Sequence, residues 1–320
     1  MFVLNAPYNG GTHLPDVTVI APVFLDVATD AGRVQAPSPE FYVASRGHHA
    51  DIGGTTPGSM PPDSTHVDEE GVLLDNVQLV AQGRFLDDEM RAILGSRPIS
   101  VAQHRPEPRR PPGAGRGVRE GHRRARAKMV AHFGLAVVRA YMQHVQDNAE
   151  ESVRRVLDVL TDGHFEYEMD SGAKIVGHAS RSTRQGARRR SISPGPARSS
   201  RPISTRRRRV CKAAVLYVFR TLVDDEIPMN AGCLKPLDIV IPEGSMLAPR
   251  YPAAVVAGNV ETSQAITDTL YGALGVLAAS QGTMNNFTFG NDTLPVLRDD
   301  LRRLGRRARI STARASCRRT

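Results

Sequence analysis

The sequence predicts an α+β protein, with helices and sheets mixed in one chain, on two observations. Short runs rich in β-branched and aromatic residues are bounded by Gly, Pro, Asn and Asp, the punctuation expected of strands. Between them lie longer stretches with apolar residues at helical spacing, the longest being Met129–Thr161. The order of strands within the sheets does not follow from these patterns.

Taken in order, Val17–Val27 and Glu40–Ser45 read as strands, and Asp30–Pro39, rich in Gly, Pro and Ser, as the loop between them. Asn76–Ala81 is a further strand. Leu86–Leu94 is a short helix opened by acidic residues, which suit the positive end of the helix dipole. Met129–Thr161 is helical with an interruption near Gly134. His164–Met169 and Lys174–Val176 form a hairpin around Asp170-Ser171-Gly172. Lys212–Val223 and Thr262–Ala279 are buried helices, and Asp238–Ile241 and Asn286–Phe289 are strands. Core packing accounts for every apolar stripe among them.

A chain of 320 residues is long enough for one large or two moderate domains. Its longest apolar stretches, such as Leu270–Ala279, fall short of the roughly 20 residues that cross a bilayer. No basic and apolar leader opens it, so a cytoplasmic location is expected and no membrane partner. Cys211, Cys233 and Cys317 are too few and too scattered for a disulfide framework or a zinc ribbon; Cys211 and Cys233 read as small core or site-lining thiols, and Cys317 lies in the basic tail.

Charge is concentrated in three blocks. Arg97–Lys128 carries +8, Gly177–Arg209 +11 and Asp292–Thr320 +6, while the whole chain is only +9, so the other 226 residues are net −16. The blocks are expected to lack stable structure, because dense like charge is combined with almost no apolar periodicity.

Two histidine-carboxylate motifs lie near the start: Gly11-Thr12-His13-Leu14-Pro15-Asp16 and Ser45-Arg46-Gly47-His48-His49-Ala50-Asp51. Each sets an imidazole and a carboxylate three residues apart at a strand edge, where both side chains can turn toward one cation. A hydrogen-bonded network at the strand edge is the non-metal alternative. No Gly-x-x-x-x-Gly-Lys-Ser/Thr loop and no Gly-x-Gly-x-x-Gly after a strand is present.

Long, ordered segments of the chain resemble the hydantoinase B/oxoprolinase family: MFVLNAPYNGGTHLPDVTVIAPVF, FYVASRGHHADIGGTTPGSMPPDST, AYMQHVQDNAEESVRRVL, NAGCLKPLDIVIPEGS, YPAAVVAGNVETSQ and LGVLAASQGTMNNFTFGN among them. The resemblance implies a hydantoinase B-like fold, present incompletely, with the chain beginning inside a family strand at Met1–Asn5. It implies the catalytic B-type subunit of an ATP-dependent hydrolase of cyclic amides, such as hydantoins or 5-oxoproline. ATP is then bound by a partner hydantoinase A-type subunit or domain, which activates the ring amide, and a lactam is the small-molecule partner. Acetone carboxylase subunits belong to the same group and give an alternative reading.

The residues that match the family's ligand pattern are His13, Asp16 and His48, which the resemblance assigns to a divalent metal ion, with Zn, Mn and Mg not distinguished. His49 and Asp51 then fix ring orientation from behind, or Asp51 is itself a ligand. An acidic ligand N-terminal to Met1 is implied to be missing, as is a long C-terminal portion. Asn5-Ala6-Pro7-Tyr8 stands where the family has Asn-Asp-Pro-Tyr, so a carboxylate beside the site is lost. Asn259, Glu261, Thr262 and Asn285 lie in polar, Gly-containing segments at helix ends and are expected either to line the substrate pocket or to cap and turn the chain. Gly10-Gly11 and Gly53-Gly54 are expected to permit tight turns rather than to bind phosphate. No catalytic acid or base is assigned.

The genetic code explains the basic blocks. GC-rich codons for His104–Ala127, read one base out of frame, give IDQNLADLRAQVAACEKGIAELA, whose apolar residues recur at helical spacing. Shifted in the opposite sense, Ser191–Ser199 becomes IDFTGTSPQ, Pro202–Arg207 becomes NFNAP and Arg309–Thr320 becomes DFDGTSVVQTHM. These readings resemble family sequence at the right positions, so the blocks are expected to be out-of-frame translation and the chain as written to be inactive. The organisation expected is a strand-rich metal-site region over 1–96, out-of-frame blocks over 97–128, 177–209 and 292–320, a helix and hairpin region over 129–176, and a substrate-lining region over 210–291. A basic nucleic-acid-binding protein is the competing class. The Arg-rich blocks contain no Phe, Tyr or Trp on which bases would stack, so no nucleic-acid partner is expected.

Overall fold

Strand β1 (Phe2–Leu4) is the centre from which the first sheet grows. It pairs antiparallel with β2 (Asp16–Val23) and with β6 (Val77–Gln78), and β2 pairs antiparallel with β5 (Phe41–His48), giving the order β5-β2-β1-β6. β2 and β5 run eight residues opposite each other, from Asp16↔His48 to Val23↔Phe41. A computed structural model provides these coordinates and describes residues 1–29, 32–35, 38–56, 58–96, 128–182, 189–196, 208–242, 244–277, 286–289 and 297–300.

One face of this sheet buries Ala21, Val23, Phe41 and Val43 with Met1, Val80 and Val138. A neighbouring cluster of Val3, Leu14, Ile52, Val67, Val72, Leu74 and Val255 joins the turn before β2 and the loop after β5 to the segment around 255. The alternation of buried and exposed residues along β5 is the period-two pattern of a half-buried strand.

Asp30–Pro39, expected to be a loop, instead contains β4 (Gly32–Gln35), paired with β3 (Asp26–Thr29) so that Thr29 faces Gly32. The physical reason is the economy of a hairpin, which needs only two linking residues, so a strand can begin at Gly32 inside a stretch that reads as loop. Val80–Ala81 (β7) and Arg84–Phe85 (β8) form a small ribbon that leads into α1 (Asp87–Leu94), opened by Asp87, Asp88 and Glu89.

A helical segment over 128–133 is followed by Gly134, with φ of 82°, and then α2 (Leu135–Val159), so the interruption expected near Gly134 is present. The hairpin expected around Asp170-Ser171-Gly172 is β9 (Gly163–Glu168) and β10 (Lys174–Ser182). Residues 177–182 and 189–196, within the block expected to be unstructured, instead extend β10 and form β11 (Arg189–Pro196), antiparallel to β10 and parallel to β12 (Leu237–Ile239). A ladder is made by backbone groups, so the open edge of β10 templates a partner strand whatever its side chains. Residues 97–127, 183–188 and 197–207 lie outside the described residues.

Helix α3 (Arg208–Leu222) and α4 (Ser263–Leu274) pack with α2 on the second sheet, burying Val153, Ile175, Val215, Phe219, Ile266 and Leu270 in one core. Cys211 and Cys233 are buried in that core, as expected. The chain divides into Met1–Ser280 and Gln281–Thr320. In the second unit, β13 (Asn286–Phe289) pairs antiparallel with β14 (Leu297–Asp300); β14 lies in the tail block that was expected to be unstructured, and its order again rests on backbone pairing. Among the described residues no helix is long and apolar enough to cross a membrane.

Candidate functional site

The ladder between β2 and β5 closes the sequence gap between the two histidine motifs. Asp16 is the first residue of β2 and His48 the last of β5, and the register places them directly opposite. Such pairs bring Cβ atoms to roughly 5 Å on one face. Here Asp16 Oδ1 lies 2.9 Å from His48 Nδ1. The turn that starts β2 is fixed by the Asp16 N–H donating to His13 O at 2.9 Å. That turn folds His13 back beside the pair, buried at 4% exposure. Its ring lies nearly parallel to that of His48, with centroids 5.8 Å apart and 15° between planes. His13, Asp16 and His48 are therefore adjacent, with Asp16 and His48 partly open to solvent.

The next pair along the same face is Thr18 and Arg46. The Arg46 guanidinium donates from Nε to Thr18 Oγ1 at 2.8 Å and from Nη1 to Thr12 Oγ1 at 3.0 Å, tying the His13 turn to both strands. Sequence reasoning missed Arg46. Its separation of two from His48 on a strand, which places both on one face, was the signal available.

His49 and Asp51 are placed differently. The His49 backbone N–H donates to Pro15 O at 2.8 Å, while its exposed ring finds no hydrogen bond among the described residues. Asp51 serves its own loop. Oδ1 accepts from Gly53 N at 2.7 Å and Ser59 Oγ at 3.0 Å, and Oδ2 accepts from Gly58 N at 3.1 Å. Ser59 Oγ in turn accepts from the N–H groups of Ile52 and Gly54 at 2.8 and 3.2 Å. The glycines act as expected in turns: a Cβ on Gly11 would lie 1.9 Å from Asn5 O, and one on Gly54 would lie 2.7 Å from Glu70 O.

Two buried polar side chains hold this region from behind. Asn5 Nδ2 donates to Leu14 O and Val72 O at 2.8 and 2.9 Å, and its Oδ1 accepts from Leu74 N at 2.7 Å, so it supports the turn that carries His13. The neighbouring Ala6, where the resembled pattern has Asp, is buried. Glu70, 2% exposed, accepts through Oε1 from Val255 N at 2.6 Å, Val256 N at 2.9 Å and Ser64 Oγ at 3.0 Å. The Tyr8 hydroxyl donates to Ala253 O and its ring meets Tyr251 edge-on at 5.6 Å.

Just beyond Glu70's partners the chain forms a π-helical turn, Gly258–Thr262, entered through Ala257 at φ of 59°. It carries three of the residues expected to contact substrate. Thr262 is buried, Glu261 is half-buried, and the Asn259 Oδ1 atom is buried with no hydrogen-bond partner among the described residues. π-Turns recur at functional sites because they re-aim side chains within a helix start. Asn285 lies outside the described residues.

The donor chemistry of His13, Asp16 and His48, two imidazoles and a carboxylate, suits a divalent cation. Asp16 Oδ1 is engaged on His48 Nδ1, so this carboxylate and ring face each other across the ladder. Among the described residues no three His, Cys, Asp or Glu side chains already converge in ligating geometry.

The sequence profile of the hydantoinase B/oxoprolinase family matches residues 1–303. The chain belongs to this family. It is similar to the 5-oxoprolinase of Dictyostelium discoideum, 37% identical over 314 residues that make up 91% of this chain and 22% of that protein. The 5-oxoprolinase of Saccharomyces cerevisiae is 35% identical, across 91% of this chain and 23% of that protein. Among solved structures, the ATP-dependent caprolactamase from Pseudomonas jessenii shares the fold with a TM-score of 0.61 at 18% identity, over 90% of this chain and 48% of that one. A nucleotide-free acetone carboxylase structure gives 0.59 at 14% identity, over 85% and 36%. The chain thus spans about a quarter or less of the 5-oxoprolinases it matches.

Proposed function

We propose that this family member is part of an ATP-dependent hydrolase of cyclic amides, with His13, Asp16 and His48 forming the site of water activation. The adjacency of these three side chains across the β2–β5 ladder is the observation that carries the reading. A lactam carbonyl is a poor electrophile because its nitrogen donates into it, so hydrolysis needs both an activated amide and a positioned nucleophile. A divalent ion held by His13, Asp16 and His48 would lower the pKa of bound water and orient it. An ion bound by both Asp16 and His48 would take the place of the hydrogen bond between them, while Arg46 holds the His13 turn against both strands. The proposal keeps Asp51 and His49 in supporting roles, Asp51 by shaping the loop after β5.

ATP would be bound by a hydantoinase A-type partner, in keeping with a relative from a Pseudomonas species described as the putative B-type component of a D-/L-hydantoinase. Asn259, Glu261 and Thr262, on the π-turn, with Asn285, would contact the ring substrate, and a cytoplasmic setting fits this chemistry. We further propose that the blocks 97–128, 177–209 and 292–320 are out-of-frame translation, leaving the chain inactive as written.

The test is ATP-dependent release of product from 5-oxoproline by a frame-restored, full-length protein with its partner. His48→Ala and His13→Ala should each lower turnover by at least about a hundredfold if they hold the activating ion. Full activity in either variant removes the assignment. Resequencing the gene tests the frame separately: an uninterrupted in-frame reading of Arg181–Arg209 removes that idea alone.

A further inference from the structure

Helix α2 exposes an apolar face that the site does not use. Phe133, Val137, Tyr141, Met142 and Val145 are all more than two-fifths exposed, Tyr141 at 67%. The steps of three and four among 137, 141, 142 and 145 place these on one side of α2, and Phe133 adjoins them from the segment before Gly134. With Met129 and Phe41 they line a cavity of about 840 Å³ whose walls come from both sides of Gly134. Contiguous apolar surface of this kind marks a place where another element docks.

We propose that the occupant is the helix IDQNLADLRAQVAACEKGIAELA, encoded in the alternate frame of residues 104–127, which in the frame-restored chain runs directly into the helical segment 128–133 and lies along this face of α2. The inference rests on the out-of-frame reading of that block. The peptide's Ile, Leu, Leu, Val, Cys, Ile and Leu recur in alternating steps of four and three, the spacing of a packed helical seam. With its last residue placed before Lys128, the next steps of four and three fall on Val130 and Phe133. Val130 already packs against the cluster of Val23, Phe41 and Val138. The seam therefore continues in phase across the junction.

Gly134, at φ of 82°, then ends the arm where a residue with a side chain would be strained, and Leu135 starts α2. The one-residue link keeps the end of the arm beside the start of α2. The in-frame reading of 104–127 offers Val118 as its one large aliphatic side chain among eight arginines and supplies no such seam.

The experiment compares the chain as given with a chain in which residues 104–127 are replaced by the alternate-frame peptide. In the replaced chain, fluorescence of the dye ANS should fall at least about threefold, as apolar surface is covered. Amide exchange over 137–145 should slow at least about tenfold. Tyr141→Asp should reverse the slowing of exchange in the replaced chain and leave exchange over 137–145 in the original chain nearly as it was. Should the replaced chain not fold, the peptide added in trans to the original chain is expected to give the same protection. Unchanged exchange both in cis and in trans overturns the proposal, as does protection of the replaced chain itself that disappears on dilution, which would make a second copy the occupant. A gene that reads cleanly in frame over 104–127 overturns it differently, by removing the occupant while leaving the groove.

Discussion

Replacing Glu70 with alanine tests how the site region is held to the segment that leads into the π-turn. The side chain is 2% exposed, and one carboxylate oxygen receives the N–H groups of Val255 and Val256 and the hydroxyl of Ser64. Truncation leaves one buried and one half-buried backbone donor without their acceptor, at about 1–3 kcal/mol each. The hydroxyl adds less, because it can rotate to Pro61 O, already 3.3 Å away. The expected total is about 3–5 kcal/mol, a large share of the ~5–15 kcal/mol that holds a typical domain together. Glu70→Gln, which keeps an oxygen of the same reach, should lose only about 1 kcal/mol. Urea denaturation of the three proteins gives the difference in free energy, and amide exchange shows whether Val255 and Val256 open first. A loss below about 1 kcal/mol for Glu70→Ala would refute the account of this carboxylate as the strap.

Asp51→Ala should free the loop of residues 51–59 by removing the acceptor for Gly53, Gly58 and Ser59, at a cost of about 1–2 kcal/mol since the loop is partly solvated; faster exchange at Gly53 and Gly58 with unchanged His13 and His48 resonances is the expected signature. Tyr167 is held above the ordinary tyrosine range first by burial, then by the charges of Asp268, Asp170 and Glu261. A raised folded pKa means stability that is complete below about pH 10 and is lost as pH rises through the folded value, so Tyr167→Phe should flatten the alkaline fall in melting temperature.

Much of the fold could be read from the sequence because it rests on local signals. The acids at Asp87–Glu89, the glycine at 134 and the turn residues 170–172 mark element ends by backbone chemistry, and the structure breaks its elements there. β11 and β14 were illegible because their order comes from pairing with neighbours rather than from their own side chains, which are mostly polar or charged and lack a clear period-two apolar pattern. At the site, the motifs identified His13, Asp16 and His48, but only the β2–β5 register shows that Asp16 faces His48. Glu70 and Asn5 were missed because a lone polar residue gives no periodic signal, and its value depends on which distant backbone groups converge on it. Asp51, expected behind the histidines, is instead drawn to the N–H groups two and seven residues along, as short acidic side chains commonly are in glycine-rich turns.

The central claim is that His13, Asp16 and His48 form one cation site, and a titration of the histidine ring resonances with Mn²⁺ tests it most directly. The rings of His13 and His48 should broaden together at substoichiometric metal, before those of the exposed pair His164 and His178, and Asp16→Ala should weaken the effect by about 10–100-fold. Broadening spread evenly over the exposed histidines, or His48 broadening that persists unchanged in His13→Ala, would contradict it.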